Sequence, residues 1–247
     1  MARAGIVMVF PKEGSPLPSL WTAAFATTEL KVFTIGDSGK RVLSGELEFV
    51  WTLMHQLAAD RAACLGRHVC GRLALIAPDL ISSLYAETGR EGTEDDFRGS
   101  GSLSPLELEL AEALLEHGPR TGPQLRSILS RSNARATKSA FASLERQLVI
   151  THVGQQEQRS GWDAAIYDLL ARRFARELES LPSVSSARAA VARRILHSAG
   201  QLPTPELAKV LGLRRREAEE VLDGLMTQAL AHRGQGGTPG ASGGESV

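Results

Sequence analysis

The apolar residues in the middle of the chain recur first at helical and then at strand spacing. Two capping boxes, Ser104-Pro105-Leu106-Glu107 and Thr121-Gly122-Pro123-Gln124, predict the starts of two helices, each with a proline in its first turn. The apolar spacing then predicts a third helix from about Ser132 or Asn133 to Gln147.

A β-hairpin is predicted directly after the third helix. Residues 148–153 are mostly apolar or β-branched, residues 155–161 are polar and close with glycine, and apolar residues resume from Trp162 to Tyr167. This order predicts two strands joined by a seven-residue loop. Three helices followed by a hairpin are the pattern of a winged helix-turn-helix.

The predicted third helix has an apolar side and a polar side. At about 100° per residue, one side collects the positions Thr137, Ala140, Phe141, Leu144 and Leu148. The opposite side collects Arg135, Lys138, Ser139 and Arg146. Ala142 also lies on this outer side, where its small side chain allows close approach to a partner.

The N-terminal region, residues 1–100, predicts a mostly helical domain of winged-helix type. Helices are expected after a cap at Ser19, over Phe49–Leu57 and from Pro78, and strands only at Ile6–Phe10 and Lys31–Thr34. The helix over 49–57 is expected to bury Phe49, Val50, Leu53 and Leu57.

The C-terminal region, residues 181–233, predicts a second helix-turn-helix. Its helices are expected over Ala187–His197, over Thr204–Leu213 and after Arg214-Arg215-Arg216. No clear wing precedes the Gly-rich segment 234–247, which predicts a disordered tail. With the central domain at 101–180, the fold class is mainly α with small β-hairpin wings, in tandem winged helix-turn-helix domains.

Charge is unevenly distributed along a chain whose 28 basic and 28 acidic residues cancel. Residues 1–100 have a net charge of −2 and residues 101–118 of −4, whereas 119–150 carry +5 and 181–234 carry +3. Neutrality excludes a chain that coats every polyanion, but the +5 block covers the second and third helices of the central domain. This block is an electrostatic footprint for nucleic acid.

The third helix and its wing together predict binding to double-stranded DNA. Such a helix fits the major groove, where arginine donates two hydrogen bonds to guanine, and its N-terminal N–H groups can bind phosphate. The wing reaches the neighbouring backbone or minor groove. The candidate contacts are Arg131, Ser132, Asn133, Arg135, Lys138, Ser139 and Arg146 on the helix, and His152, Gln158 and Arg159 on the wing.

Arg214, Arg215 and Arg216 are further candidates for phosphate contacts, because cations at a helix N-terminus oppose the helix dipole. A structural role is the alternative, since each of the last two is spaced for an ion pair with a glutamate four residues later. A basic helix face that binds another protein is the corresponding alternative for the central domain.

No metal site, cofactor or membrane association is predicted. Four residues suggest metal ligation at first sight: His55, Cys64, His68 and Cys70. Their spacing fits no pattern of paired ligands, so buried thiols and surface histidines in a packed helix or turn are expected. The apolar start Ile6–Phe10 is too short to span a bilayer, and two cysteines form no secreted-type framework, so a cytoplasmic protein is expected.

Short segments spread over the chain form a set that points to a family. They are Val9–Pro11, Leu17–Trp21, Val50–Leu53, Gly66–Arg72, Leu80–Tyr85, Val149–Gly154, Glu157-Gln158, Ser160–Trp162 and Tyr167-Asp168. Together they resemble the AlkZ-related proteins, relatives of the bacterial AlkZ/YcaQ DNA glycosylases that are built from tandem winged-helix domains. The resemblance implies a DNA-binding scaffold linked to repair of alkylated or crosslinked bases.

The resemblance does not supply catalytic residues, which are left unassigned. The related glycosylases carry Gln-x-Gln or Gln-x-Asp in the N-terminal winged helix, where the motif positions water and stabilises charge on the sugar. Here the first 123 residues contain one glutamine, Gln56, and Gln156-Glu157-Gln158 lies in the predicted wing. Neither Asp60 nor Glu48 has support from spacing as a replacement.

Three functions therefore stay open. The first is a DNA-binding protein of the AlkZ-related kind without assured enzymatic activity. The second is an active DNA glycosylase with a diverged site, and the third is a winged-helix transcriptional regulator or protein-interaction scaffold. The sequence identifies no protein partner.

Overall fold

The computed structural model describes residues 4–35, 41–129, 133–158, 163–228, 231–233 and 239–241. The helices are α1 Leu20–Phe25, α2 Gly45–Ala59, α3 Ile81–Ala86, α4 Pro105–His117, α5 Gly122–Ile128, α6 Ala134–Arg146, α7 Leu170–Arg173, α8 Ala175–Leu178, α9 Val184–Ala199, α10 Thr204–Leu211 and α11 Arg215–Thr227. The strands are β1 Ile6–Met8, β2 Phe33–Ile35, β3 Arg41–Leu43, β4 Cys64–Val69, β5 Arg72–Ile76, β6 Arg120–Thr121, β7 Ile150–Gln156, β8 Ala164–Leu169, β9 Ala231–Arg233 and β10 Pro239–Ala241. The protein is thus mainly helical with a small antiparallel sheet.

Local signals define the starts of several helices. Ser104 and Thr121 form the predicted capping boxes of α4 and α5 with Glu107 and Gln124. Ser19 caps α1 as predicted, because its hydroxyl oxygen accepts a hydrogen bond from the Thr22 N–H at 3.0 Å. Such caps satisfy N–H groups that have no partner within the helix.

One antiparallel sheet runs through the middle of the molecule in the strand order β1-β5-β4-β7-β8-β6. The expectation of a helix or turn around Leu65 and Val69 is wrong, because both lie in β4, which forms a hairpin with β5. Arg67 and His68 interrupt the apolar alternation of this strand. Their partners come from a distant helix, so the local pattern contains no signal for a strand.

The two faces of the N-terminal part of the sheet pack against different helices. Ile6 and Ile76 point into a core shared with α3 and the C-terminal helices α9 to α11. Leu65 and Leu75 point to the opposite side, where Trp21 and residues of α2 cover them. This alternation follows from the two-residue period of side chains along a strand, and it places α2 and the C-terminal helices on opposite faces.

The central helices and the strands after them have a core of their own. Leu110 of α4, Leu125 of α5 and Phe141 of α6 pack there against Ile150 and Leu169 of the hairpin β7–β8. This hairpin is the one predicted from sequence. It is also part of the larger sheet, because Leu65 in β4 lies opposite His152 in β7. The segments 1–100 and 101–180 therefore share one sheet.

Two further expectations are corrected. Phe49 is exposed rather than inward, although it makes an edge-to-face contact with Phe25 at a centroid distance of 5.9 Å. The C-terminal segment contains a strand, since Pro239–Ala241 pairs antiparallel with Ala231–Arg233. Backbone pairing needs no apolar side chains, so a Gly-rich composition did not reveal it. Residues 234–238 and 242–247 of the predicted tail lie outside the described residues.

Candidate nucleic-acid interface

The helix predicted to bind DNA, α6, has the expected two-sided character. Its inward side is buried, at the positions Thr137, Ala140, Phe141 and Leu144, and Leu148 just beyond its end is buried too. Its outward side is exposed at Asn133, Arg135, Lys138, Ser139 and Arg146. The side chain of Asn133 accepts a hydrogen bond from the Ala136 N–H at 2.7 Å and so caps the helix.

Among the described residues, the basic side chains of α6 make no close ion pair, and only Arg146 is near enough to a carboxylate, that of Glu107, for its positive charge to act on it. Arg135, Lys138 and Arg146 form no ion pair with any residue that the structure describes. Arg126 on α5 is also exposed and forms no such ion pair. Its guanidinium lies close to Gly122, since a Cβ atom at that glycine would be 3.6 Å from Nη1 of Arg126. Unneutralised cations on one rigid surface produce a local positive potential.

Unlike the basic residues of α6, the three arginines at the start of α11 are paired with carboxylates. Arg214, Arg215 and Arg216 have exposed side chains, and each lies within 3.2 Å of a carboxylate oxygen of Glu217, Glu219 or Glu220 respectively. The predicted pairs over four residues are thus present. Because the carboxylates offset the arginine charges, this cluster is a weaker candidate for phosphate contacts than α6.

The wing residues do not all lie where the sequence analysis placed them. His152 is 6% exposed and faces the protein interior, so its prediction as a DNA contact is wrong. The reason is that β7 is paired on both sides, by β4 and by β8, and is not a free wing strand. Gln158 is half-buried at the end of β7. Arg131, Ser132 and Arg159 lie outside the described residues.

Beneath the interface, the carboxylate of Glu145 joins α6 to two strands of the sheet. The backbone N–H of Arg67 donates to Glu145 Oε2 at 2.8 Å, and the guanidinium Nε of Arg67 lies 3.6 Å from the same oxygen. His152 Nε2 lies 3.3 Å from Glu145 Oε1, and His68 Nδ1 lies 2.5 Å from the Glu145 carbonyl oxygen. The orientation of α6 on the sheet is therefore determined by a buried charged residue.

The charge of Glu145 is stabilised by its surroundings. Burial disfavours the ionised carboxylate, but the hydrogen bond from His152 and the electrostatic interactions with His152, His68 and Arg67 outweigh burial and lower the pKa of Glu145. In the sequence, Glu145 stands out only as the single acidic residue between positions 119 and 150. Its position four residues after Phe141, on the edge of the buried side of α6, was the signal that could have revealed it.

Buried imidazoles continue from this contact towards α2. The ring of His152 lies 4.6 Å from that of Tyr167 and 5.6 Å from that of His55, and His55 lies 5.2 Å from Trp51. Burial, with a smaller contribution from the neighbouring charge of His152, lowers the pKa of His55 to about 4. His55 is therefore neutral at pH 7, and protonating it is unfavourable in the folded state.

Because His55 is buried and neutral, we expect the protein to be less stable in mild acid. Because its folded pKa is about 4 against an unfolded value of 6.5, the unfolded state binds more protons between those pH values. Its contribution is complete above pH 6.5 and is lost as pH falls to 4, by about 3 kcal/mol in the free energy of unfolding. Urea titrations at pH 7 and pH 4.5 measure the free energy of unfolding at each pH. The decrease in this free energy from pH 7 to pH 4.5 should be smaller for His55→Gln than for the wild type. The exposed His197→Gln is the matched control, and equal differences for all three proteins would contradict this assignment.

The remaining residues considered for metal binding are used otherwise. Within the part of the chain that the structure describes, no three His, Cys, Asp or Glu side chains come together to hold a metal ion. Cys64 is buried beside Thr151 Oγ1 at 3.4 Å, and burial raises the pKa of its thiol to about 12. Cys70 is exposed in the turn between β4 and β5. Among the described residues, no helix has the length and apolar character that a membrane span requires.

Comparison with known proteins agrees with the resemblance seen in the sequence. The profile of the AlkZ-like DNA glycosylases matches residues 53–242. The chain belongs to the AlkZ-like DNA glycosylase family. The solved structures include the Streptomyces sahachiroi DNA glycosylase AlkZ, which is 17% identical and superposes with a TM-score of 0.41 over 68% of this chain and 56% of that one. This AlkZ-like chain thus spans little more than half of that glycosylase, and no curated protein matches it significantly.

Proposed function

We propose that this AlkZ-like protein binds double-stranded DNA, with α6 in the major groove as the recognition helix of a winged helix-turn-helix. The observation that carries the proposal is the exposed row Arg135, Lys138 and Arg146, which has no ion pair among the described residues. Arginine and lysine at these positions suit guanine edges and phosphates. Asn133 at the start of the helix and Ser139 on its exposed side are proposed as polar contacts to the backbone.

The support for α6 is stronger than the support for the arginines at the start of α11. Both groups are exposed, but only Arg214, Arg215 and Arg216 are neutralised by neighbouring glutamates. The buried contact at Glu145 further favours α6, because a helix held rigidly loses little entropy when it binds. Arg131, Ser132 and Arg159 remain contacts proposed from the sequence alone.

Titration of a labelled duplex at low and rising salt concentration tests this proposal. We expect saturable binding whose affinity decreases steeply with salt, because each phosphate contact releases condensed counterions. Absence of binding at low salt would contradict the proposal. If another protein then co-purified with the chain, the alternative of a protein-interaction scaffold would be favoured instead.

Base excision is a second candidate function, and family membership is the observation that favours it. Incubation with duplexes that carry alkylated or crosslinked bases, followed by alkaline cleavage at abasic sites, tests it directly. Strand breaks above the level without protein would establish an active glycosylase with a diverged site. The double variant Arg135→Ala/Lys138→Ala serves as the control, since loss of cleavage in it would connect the activity to α6.

No breakage at equimolar protein would favour a binding role without excision of those bases. That outcome would agree with the sequence, in which Gln56 is the one glutamine of the first 123 residues. Gln56 lies exposed on α2, and it is not followed by the second member of the motif that the related glycosylases carry.

A further inference from the structure

The turn between β4 and β5 is a tight two-residue connection that projects from the sheet. Cys70 and Gly71 both have positive φ, at 53° and 63°, and Val69 pairs with Arg72 on either side of them. Two consecutive positive φ values are the mark of a type I′ hairpin turn. This connection therefore holds the first residue of β5, Arg72, in a defined place at the surface.

Basic side chains from three separate regions converge on this turn. The Cys70 Sγ lies 4.0 Å from the carbonyl oxygen of Lys209 in α10, and a Cβ atom on Gly71 would lie 3.6 Å from Cδ of Arg146 in α6. Burial raises the pKa of the Cys70 thiol, and the positive charges of Lys12, Lys209 and Arg72 partly offset this increase. We call Lys12, Arg72, Arg146 and Lys209 the turn patch.

The four charges of the turn patch are exposed, and none forms an ion pair within the described ranges, although the charge of Arg146 also acts on the carboxylate of Glu107. Like charges that converge from different segments repel one another, so a bound anion would stabilise the arrangement. The acid nearest along α6, Glu145, is buried and already engaged by Arg67 and His152.

The turn patch is continuous with the proposed recognition helix. Arg146 belongs to both surfaces, and it lies 11 residues after Arg135, or about 16 Å along the helix axis. A duplex presents negative charge along its whole length, about one charge per 1.7 Å of axis. A rigid polyanion that contacts α6 would therefore also be attracted by cations at the C-terminal end of that helix.

We propose that the turn patch binds backbone phosphates of the same DNA duplex that α6 engages, with Arg146 shared between the two surfaces. This inference rests on the proposed function and extends the interface to Lys12, Arg72 and Lys209, none of which the sequence pattern indicated. It joins the N-terminal strands, the central domain and the C-terminal helices in one DNA-binding surface.

The test compares two triple variants that remove the same charge. Lys12→Ala/Arg72→Ala/Lys209→Ala removes three cations of the turn patch, and Arg214→Ala/Arg215→Ala/Arg216→Ala removes three cations that are already paired. For the first, the slope of log affinity against log salt should decrease by about 2 to 3, because each lost phosphate contact contributes about 0.9. For the second, the slope should change by less than about 1. Equal changes in both, or no change in the first, would overturn the inference.

A second measurement uses Cys70, whose thiol is exposed while that of Cys64 is buried. A fluorophore attached to Cys70 should be protected from iodide quenching when duplex is added, and unchanged quenching would overturn the inference.

A wild-type protein that binds no duplex would instead contradict the proposed function. Binding that depends on Arg135 and Lys138 but not on the turn patch would contradict this inference alone. Thermal unfolding of each variant confirms that the fold is retained.

Discussion

Replacing Glu145 by alanine is expected to lower the free energy of unfolding by about 3 kcal/mol, because it breaks a buried charged contact. The change leaves the N–H of Arg67 and the ring of His152 without their partner across β4, α6 and β7. Glu145→Gln keeps the shape of the side chain and should cost less, about 1 kcal/mol. Urea unfolding at pH 7 measures both values.

The matched control for this prediction is Glu116→Ala. Glu116 is the penultimate residue of the 13-residue helix α4, as Glu145 is of the 13-residue helix α6, but its side chain is 77% exposed. A surface substitution of this kind should change the unfolding free energy by less than about 0.5 kcal/mol. Equal losses for the two alanine variants would show that burial of Glu145 does not stabilise the junction.

Replacing both Arg135 and Lys138 by alanine is expected to weaken duplex binding by about 10- to 100-fold at fixed salt concentration. Both side chains are exposed on α6 and make no ion pair with any described residue, so their removal breaks no ion pair and removes little packing. Thermal unfolding should therefore be unchanged. Fluorescence anisotropy with a labelled duplex measures the affinity, and wild-type affinity in this variant would show that α6 is not the contact surface.

The features of α6 were predictable because their signals are local. Its cap at Asn133, its buried side and its exposed basic side all follow from residues within about two turns of one another. The same holds for the capping boxes of α4 and α5. Family membership was also recognisable from sequence, because it rests on short segments of consecutive residues and needs no knowledge of how the helices and strands pack.

The features around Glu145 were not predictable, because they depend on contacts between distant parts of the chain. Arg67 and Glu145 are 78 residues apart in sequence, and their hydrogen bond gives the polar part of β4 a buried partner. That strand in turn covers β7 and turns His152 inward, away from the wing. A pattern read along one segment cannot show which strand will pair with it.

The unpaired charge on α6 also required the structure to be seen. By sequence alone, the arginines at the start of α11 were candidates either for phosphate contacts or for ion pairs with glutamates four residues later. The positions of Glu217, Glu219 and Glu220 favour the ion pairs, because each of these glutamates lies beside one of the arginines. A net charge counted over a segment does not distinguish paired from unpaired cations.

The most direct test of the proposed DNA-binding role is the salt dependence of duplex affinity for three proteins: the wild type, Arg135→Ala/Lys138→Ala and Arg215→Ala/Arg216→Ala. Both variants lose two positive charges. If α6 contacts the duplex, the slope of log affinity against log salt decreases by about 1 to 2 for the first variant and by less than about 0.5 for the second. Equal slopes in all three proteins, or no duplex binding by the wild type at low salt, would contradict the proposed role.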